Sequence, residues 1–478
     1  MIVATRSHTS AAGEARPDRV GPQGRVGAVA TPVVTESQGT VATVPGARRG
    51  ASARLRQAAS TPPGRLRVAG AALAALVVLF GAVAVEQVST RATAAGRVVS
   101  GSEPLSQDAA EIYRSLADAD TTAAAGFLLA ADEPAAVRQR YEDDLATASR
   151  LLSEAAARTG SSPGAQRPIT ELNRQLPRYA GLVETARADN RQGLPLGGAY
   201  LRYASALMQD TMLPLAQSLV DAESGRLDAD HGDASSFPVA ALLLGLVALG
   251  ALVRYQVVLF RRTNRVFNTG LLTATSAVLV AVVWLATASA SAGAALATSR
   301  RDGSQPLREL DHVRIAALQA HAAENLNLVA RGSTDTYTKR WSALVDPLNA
   351  PAAQAGSFGH AVAAGRPDAE RPAAEAERAF ADWLSRHRAA ADKDSAGDYD
   401  AALRGTLSAG GNDTADAAFT TMDRKLAEAA TAEQHDFEAA AGGVDGFLEV
   451  YAAAAAVLTA LAVGGVLRGI GRRLAEYR

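Results

Sequence analysis

VAGAALAALVVLFGAVAV, residues 68–85, carries no charge over eighteen positions. As a helix it covers about 27 Å at 1.5 Å per residue, close to the ~30 Å hydrocarbon core of a bilayer. Three further stretches share this character: Phe237–Val253, Gly270–Ala286 and Phe447–Leu467. The second and third are short, but Val257–Phe260 and Val266–Phe267 extend them, with Arg254 reaching back to the surface. Ala82-Val83-Ala84 has the small-x-small form of a signal-peptide cleavage site. The leader before it is far longer than a signal n-region, however, and the apolar run exceeds the usual h-region, so the stretch reads as a retained span. Glu449, near the outer end of the fourth span, reads as an interfacial carboxylate.

Arginine placement orients the spans. The tail up to Arg67, the connection between spans two and three and the C-terminal end together hold 18 basic and 4 acidic residues. The two long connections, 87–236 and 287–443, hold 30 basic and 42 acidic. The basic segments are therefore expected in the cytoplasm and both long connections outside. The chain divides into a basic tail 1–65 without apolar periodicity, a first span 66–86, a first outer region 87–236, and a second span 237–260. A short basic loop 261–265 follows, then a third span 266–286, a second outer region 287–443, a fourth span 444–467 and a basic end 468–478.

Alanine dominates, strand formers are sparse and lysine occurs only at 339, 393 and 425. The first trend predicts an all-α fold; the preference for arginine is that of a GC-rich, actinobacterial genome. With no cysteine, disulfides and cysteine-ligated metal sites are excluded. In the first outer region Ile112, Leu116, Ala119, Ala123 and Phe127 mark one face of a helix. Asp132-Glu133-Pro134 ends it. Val137, Tyr141, Leu145 and Leu152 define a second helix, and Gly160–Gly164 a turn. Ile169, Leu172, Leu176, Tyr179 and Leu182 define a third helix, and a fourth starts near Gly197, is kinked at Pro214 and runs on into the second span. The result is an antiparallel four-helix bundle, extracytoplasmic and sensor-like, whose first and last helices continue into the membrane.

The second outer region repeats this plan. Gly101-Ser102-x-Pro104-Leu105 returns as Gly303-Ser304-x-Pro306-Leu307, Arg140-Tyr141 as Arg340-Trp341, and Gly198-x-Tyr200 as Gly397-x-Tyr399. The pattern predicts a duplicated unit of span, bundle and span. Its second copy has a longer connection through Asn349–Pro351 and Gly356–Asp368, and an interruption at Gly410–Asp413.

Chemistry is thinly represented. The seven histidines form no metal-ligand spacing; His312 and His321 fall on opposite faces of a helix and read as surface or core residues. No phosphate-binding loop or nucleophile elbow occurs, so no enzyme, cofactor or catalytic residue is expected. Asp118, Asp120 and Glu142-Asp143-Asp144 read as solvated helix faces, Tyr141 and Trp341 as bundle core, and Gly465-x-x-x-Gly469 as a close helix crossing. Arg261, Arg262, Arg265, Arg472 and Arg473 set topology and are the candidate contacts for a cytoplasmic partner.

LGGAYLRYASALM, residues 196–208, followed by Met212-Leu213-Pro214, resembles the actinobacterial four-span membrane signalling proteins associated with a glutamine-type solute-binding lipoprotein and a soluble G-type Ser/Thr protein kinase. Agreement of architecture extends over residues 66–475; the second bundle echoes the motif faintly, and the tail lies outside it. The resemblance implies a cell-membrane relay that passes amino-acid status from the lipoprotein to the kinase, with Tyr200, Ser205, Met208 and Pro214 as the candidate motif of the outer bundle. A direct small-molecule sensor holding its ligand in the first bundle, or an envelope scaffold, are the alternatives.

Overall fold

The computed structural model describes residues 62–475, apart from 130–132, 159–162, 264–267, 300–304, 366, 408–410, 412 and 442–444. The expectations placed on residues 1–61, 160–162, Arg265, Gly303 and Ser304 therefore lie outside the described residues, as do those on the side chains of Arg262, Glu449 and Arg473. Every regular element among the described residues is a helix, so the fold is all-α.

The first half comprises α1 (Pro62–Arg97), α2 (Glu103–Leu129), α3 (Ala135–Arg158), α4 (Pro163–Arg191), α5 (Leu196–Leu207), α6 (Leu213–Ser235) and α7 (Val239–Thr263). The second comprises α8 (Thr269–Ser299), α9 (Gln305–Ala330), α10 (Thr336–Leu348), α11 (Phe358–Ala364), α12 (Pro367–Ser395), α13 (Tyr399–Thr406), α14 (Ala415–Ala441) and α15 (Asp445–Ala475). α1, α7, α8 and α15 contain helical stretches long and apolar enough to cross a membrane. Their outward faces carry Val78, Leu79, Leu246, Val283 and Leu461, all about half exposed, as expected of side chains solvated by lipid rather than water. Apart from the short α11, the order of helices is the same in both halves, an arrangement compatible with a duplicated unit.

Continuity between span and bundle differs from helix to helix. α1 runs into α2 through a π-turn at Val98–Ser102, giving one helical rod from Gly64 to Leu129. At 66 residues it is about 100 Å long. The expected run of the fourth bundle helix into the second span is interrupted over residues 236–238. α6 stops at Ser235, Ser236 is extended (ψ 138°), and α7 begins after Pro238, because proline lacks an amide hydrogen and forces its predecessor out of the helical region. At Pro214 the helix instead widens into a π-turn at Met208–Met212, where the Leu213 N–H donates to the Met208 carbonyl five residues back. Of the turn expected at Gly160–Gly164, Pro163 and Gly164 already belong to α4, with Pro163 as its favourable first-turn residue. The long connection of the second half is itself structured: α11 lies within it, capped by Ser357 Oγ accepting from His360 N–H at 3.1 Å.

The apolar helices form a ring in which α1 and α8 each pack against both α7 and α15. Its tightest point is the crossing of α8 and α15. A Cβ on Gly270 would sit 2.5 Å from the Gly469 nitrogen and 2.6 Å from the Gly465 oxygen, and one on Gly465 2.8 Å from the Gly270 oxygen. Backbone meets backbone here, so only glycine fits. The same end of the ring gathers the start of α1, where Gly70 faces Ile470, and the start of α8, where Asn268 Nδ2 donates to the Gly469 carbonyl at 2.8 Å. Replacing Gly465 by leucine is expected to force α8 and α15 apart at a cost of about 1–3 kcal/mol. The readout is the thermal midpoint in detergent. Gly464→Leu, whose Cβ meets nothing within 4 Å, should leave the midpoint unchanged; equal losses in the two variants would refute the crossing.

Candidate functional site

The membrane-distal helices make two bundles, α2–α6 and α9–α14, which pack against each other chiefly through α2 and α9. Each of these helices is covered on nearly all sides. Residues 115–124 of α2 and 320–326 of α9 are buried throughout, polar ones included. Asp118, Asp120 and Asp144 are thus not on a solvated face, as their spacing suggested, while Glu142 and Asp143 are. An isolated charge in such a place is untenable, and the structure supplies partners.

Asp118 accepts from Arg140 Nε of α3 at 3.0 Å. Arg140 also reaches across to Asp423 of α14 at 3.5 Å. Arg314 of α9 closes the group with Nε 2.6 Å from Asp423 Oδ1. Burial works against the Asp423 carboxylate, but hydrogen bonds and charge from Arg314, reinforced by Arg140, hold it below its ordinary pKa. A second group faces the other way. Arg340 of α10 donates to Gln209 Oε1 and, at 2.9 Å, to Asp210 Oδ1. Gln209 in turn donates to Asp120 Oδ2 at 2.9 Å, which also accepts from Ser205 Oγ at 2.8 Å, while Tyr179 donates to Asp120 Oδ1 at 3.2 Å. Burial raises the Asp120 pKa, and these three donors, with Arg340 behind, counter it. The sequence-matched residues Arg140 and Arg340 therefore make reciprocal crossings, Arg140 onto α14 of the second bundle and Arg340 onto the π-turn ahead of α6 in the first.

The neighbouring aromatic residues also correspond. Tyr141 is buried beneath the Arg187 guanidinium, 4.4 Å above its ring. Trp341 is half-buried and stacks on His387 at 3.8 Å. His387 and Arg187 are 200 residues apart, as are Tyr141 and Trp341. In the second bundle the buried Glu324 is surrounded by His321 Nδ1 at 2.8 Å, His387 Nδ1 at 2.7 Å and the Trp383 Nε1 donor at 3.0 Å. His321 also contacts Asp416 through Nε2 at 3.2 Å and stacks on Phe419. Burial opposes the His321 imidazolium, but the two carboxylates outweigh it and raise its pKa to about 9; the same contacts hold Glu324 down to about 2 against its burial. His321 is thus a core histidine carrying charge, whereas His312 is exposed. A cleft of about 250 Å³ lies alongside, bounded by Asp118, Arg140, His321, Asp416, Leu129 and Leu407. No three His, Asp or Glu among the described residues converge closely enough to hold a metal ion.

Of the residues picked out by sequence, Ser205 is buried on Asp120, Met208 is fully buried in the π-turn, Tyr200 packs half-buried on the core and Pro214 is exposed at the start of α6. Arg261 is exposed on the last turn of α7. Arg472, exposed on α15, reaches Thr269 Oγ1 at 3.4 Å at the start of α8, so both lie at the end of the ring where the chain crosses between spans. Gln209, Arg340 and Asp423 went unsingled as site residues. The repeated Arg-aromatic pair signalled Arg340, but nothing in local spacing signalled its target.

Asp144 gives a pH test. Burial first, then the neighbouring Asp118 carboxylate, raise its pKa to about 8, with Arg114 and Arg140 pulling the other way. Its unfolded value is near ~3.9, so its stabilising share is whole below that value and is lost as pH climbs through about 8. Asp144→Asn removes the loss. The midpoint of the variant minus that of the parent chain should grow from pH 5 to pH 9; a constant difference would count against the assignment.

A family model of the actinobacterial sensor domain matches residues 94–232, from the last turn of α1 through most of α6. No curated protein and no solved structure matches the chain. Together with the four apolar helices, the match supports an actinobacterial membrane sensor and a role in sensing or signalling.

Proposed function

We propose that the chain is a transmembrane relay, acting without catalysis in the cell membrane. It passes extracytoplasmic amino-acid status from a solute-binding lipoprotein to a soluble Ser/Thr kinase. The observation that carries this reading is the charged junction of α2 and α9, set on a helix that runs unbroken into the first span. Removing Arg140 would strand the buried carboxylates of Asp118 and Asp423. The cost falls below the ~3–5 kcal/mol of a fully buried pair, because Arg140 is itself partly exposed. Arg340 pairs with the exposed Asp210 and reaches the buried Asp120 through Gln209. The two reciprocal crossings therefore favour a few discrete packings of the bundles over a continuum, which is what a relay element needs. A contact on the outer bundles that prefers one packing shifts α2, and α1 carries the shift inward. The partners themselves come from the resemblance of residues 196–208 to the relay proteins. The sensor match supports the listening role.

Both termini and the loop between α7 and α8 are assigned to the cytoplasm, where Arg261, Arg262, Arg265, Arg472 and Arg473 would meet the kinase. The direct-sensor reading gains support from clefts between the bundles, rather than within the first bundle.

Since the chain has no cysteine, topology is tested with single substitutions at exposed positions. Gln192→Cys and Gln354→Cys should react with an impermeant maleimide on intact cells, and Arg472→Cys only after lysis; the opposite pattern overturns the orientation. Affinity purification of the full chain from detergent-solubilised membranes should recover the lipoprotein and the kinase, in proportions that change with amino-acid supply. Recovery of neither under any supply defeats the relay.

A further inference from the structure

A cleft of about 510 Å³ lies between the bundles, on a different stretch of the α2–α9 seam from the arginine crossings. α2 and α6 form one wall and α9 the other. Its volume is in the range of small-molecule sites, ~300–1,000 Å³. Val220, Leu227, Leu307 and Ile315 make its apolar surface. The polar groups are amides and hydroxyls, three carboxylates (Glu103, Asp221, Asp311), and Arg308 and His312. Arg308 lies 3.7 Å from Asp228 and its charge also reaches Glu103, so the three carboxylates share the cavity with one arginine and one histidine.

Glu103 is the group that demands explanation. It is 4% exposed and lines the cleft, yet its Oε2 has no hydrogen-bond partner among the described residues; Oε1 accepts from Gln107 Nε2 at 3.1 Å. Burial raises its pKa, outweighing the Gln107 hydrogen bond and the charge of Arg308. Leaving a buried acceptor unmet is costly. A ligand ammonium would meet it, with Ser106 and Ser224, whose hydroxyls lie 3.3 Å apart, and Gln217 close by on the lining. The described acids do not group tightly enough for a metal ion, and the apolar wall would take an alkyl chain.

We propose that this cleft binds a small organic cation, a primary alkylammonium whose charged head pairs with Glu103 and whose chain lies along Leu227 and Ile315. Glu103 is the first residue of α2 and caps the π-turn, its N–H donating to the Val98 carbonyl. Gln107 links it to Gln434 of the second bundle, which donates at 3.3 Å. The ligand would thus touch both bundles and the joint with the first span at once. This goes beyond the relay reading: binding is a property of the chain alone and needs neither partner.

The test is calorimetric titration of the purified full-length chain in detergent with cadaverine, 1,5-pentanediol and lysine. Saturable binding of cadaverine but not of the diol is expected, weakened about tenfold or more in Glu103→Gln and abolished in Ala110→Phe, which fills the cavity while leaving every charge in place. No cadaverine binding, equal binding of the diol, binding of lysine alone, or affinity unchanged in both variants would each overturn the proposal. Failure here leaves partner recovery untouched, and loss of the partners leaves cadaverine affinity untouched.

Discussion

The structure depends on the burial of charge where α2 meets α9. Two alanine-rich helices approach closely because their small side chains allow it; Ala117, Ala119, Ala123, Ala317 and Ala320 are almost wholly buried. Such contact leaves no water for Asp118, Asp120, Asp423 or Glu324, so each must find a donor inside the protein. The donors come from the flanking helices, and the two that cross between the bundles come from corresponding places in the two halves. Burying ions in this way adds little net stability. It does restrict which arrangements of the bundles are tolerable, because sliding one past the other strands carboxylates in an apolar seam.

Much of the fold was readable in the residues. Apolar runs and arginine placement gave four candidate spans, and the spacing of Ile112, Leu116, Ala119 and Ala123 gave the core face of α2. The Gly465–Gly469 crossing was readable because a close approach leaves only glycine possible. The polar face of α2 was misread for a definite reason. Asp118 and Asp120 look solvated from their spacing alone, but Asp120 is buried inside its own bundle on Tyr179, Ser205 and Gln209, and Asp118 in the seam beneath Arg140. The partners of Arg140 and Arg340 lie 283 and about 130 residues away, beyond any local pattern. The break at Pro238 was legible in principle, since proline ends helices, but Pro214 drew the attention instead and its missing hydrogen bond is accommodated by a wider turn.

The halves match in plan and differ in chemistry. Where the first bundle stacks Arg187 on Tyr141, the second stacks His387 on Trp341. A guanidinium keeps its charge at any physiological pH, whereas an imidazole depends on its surroundings. In the second bundle Glu324 gathers His321, His387 and Trp383 around one buried carboxylate. The family model covers the first bundle only, and the second bundle differs from it in its buried polar groups.

The π-turn at Val98–Ser102 gives the long rod an adjustable gear. It fits one more residue into a turn than the α-form does. Were those residues to rewind as ordinary α-helix, everything beyond them would advance by about 1.5 Å and swivel by about 100° relative to the span below. Glu103 would leave its cleft and the aspartates of α2 would face different neighbours. A change of winding over five residues could therefore alter the whole seam while α1 stays fixed among its neighbours in the lipid.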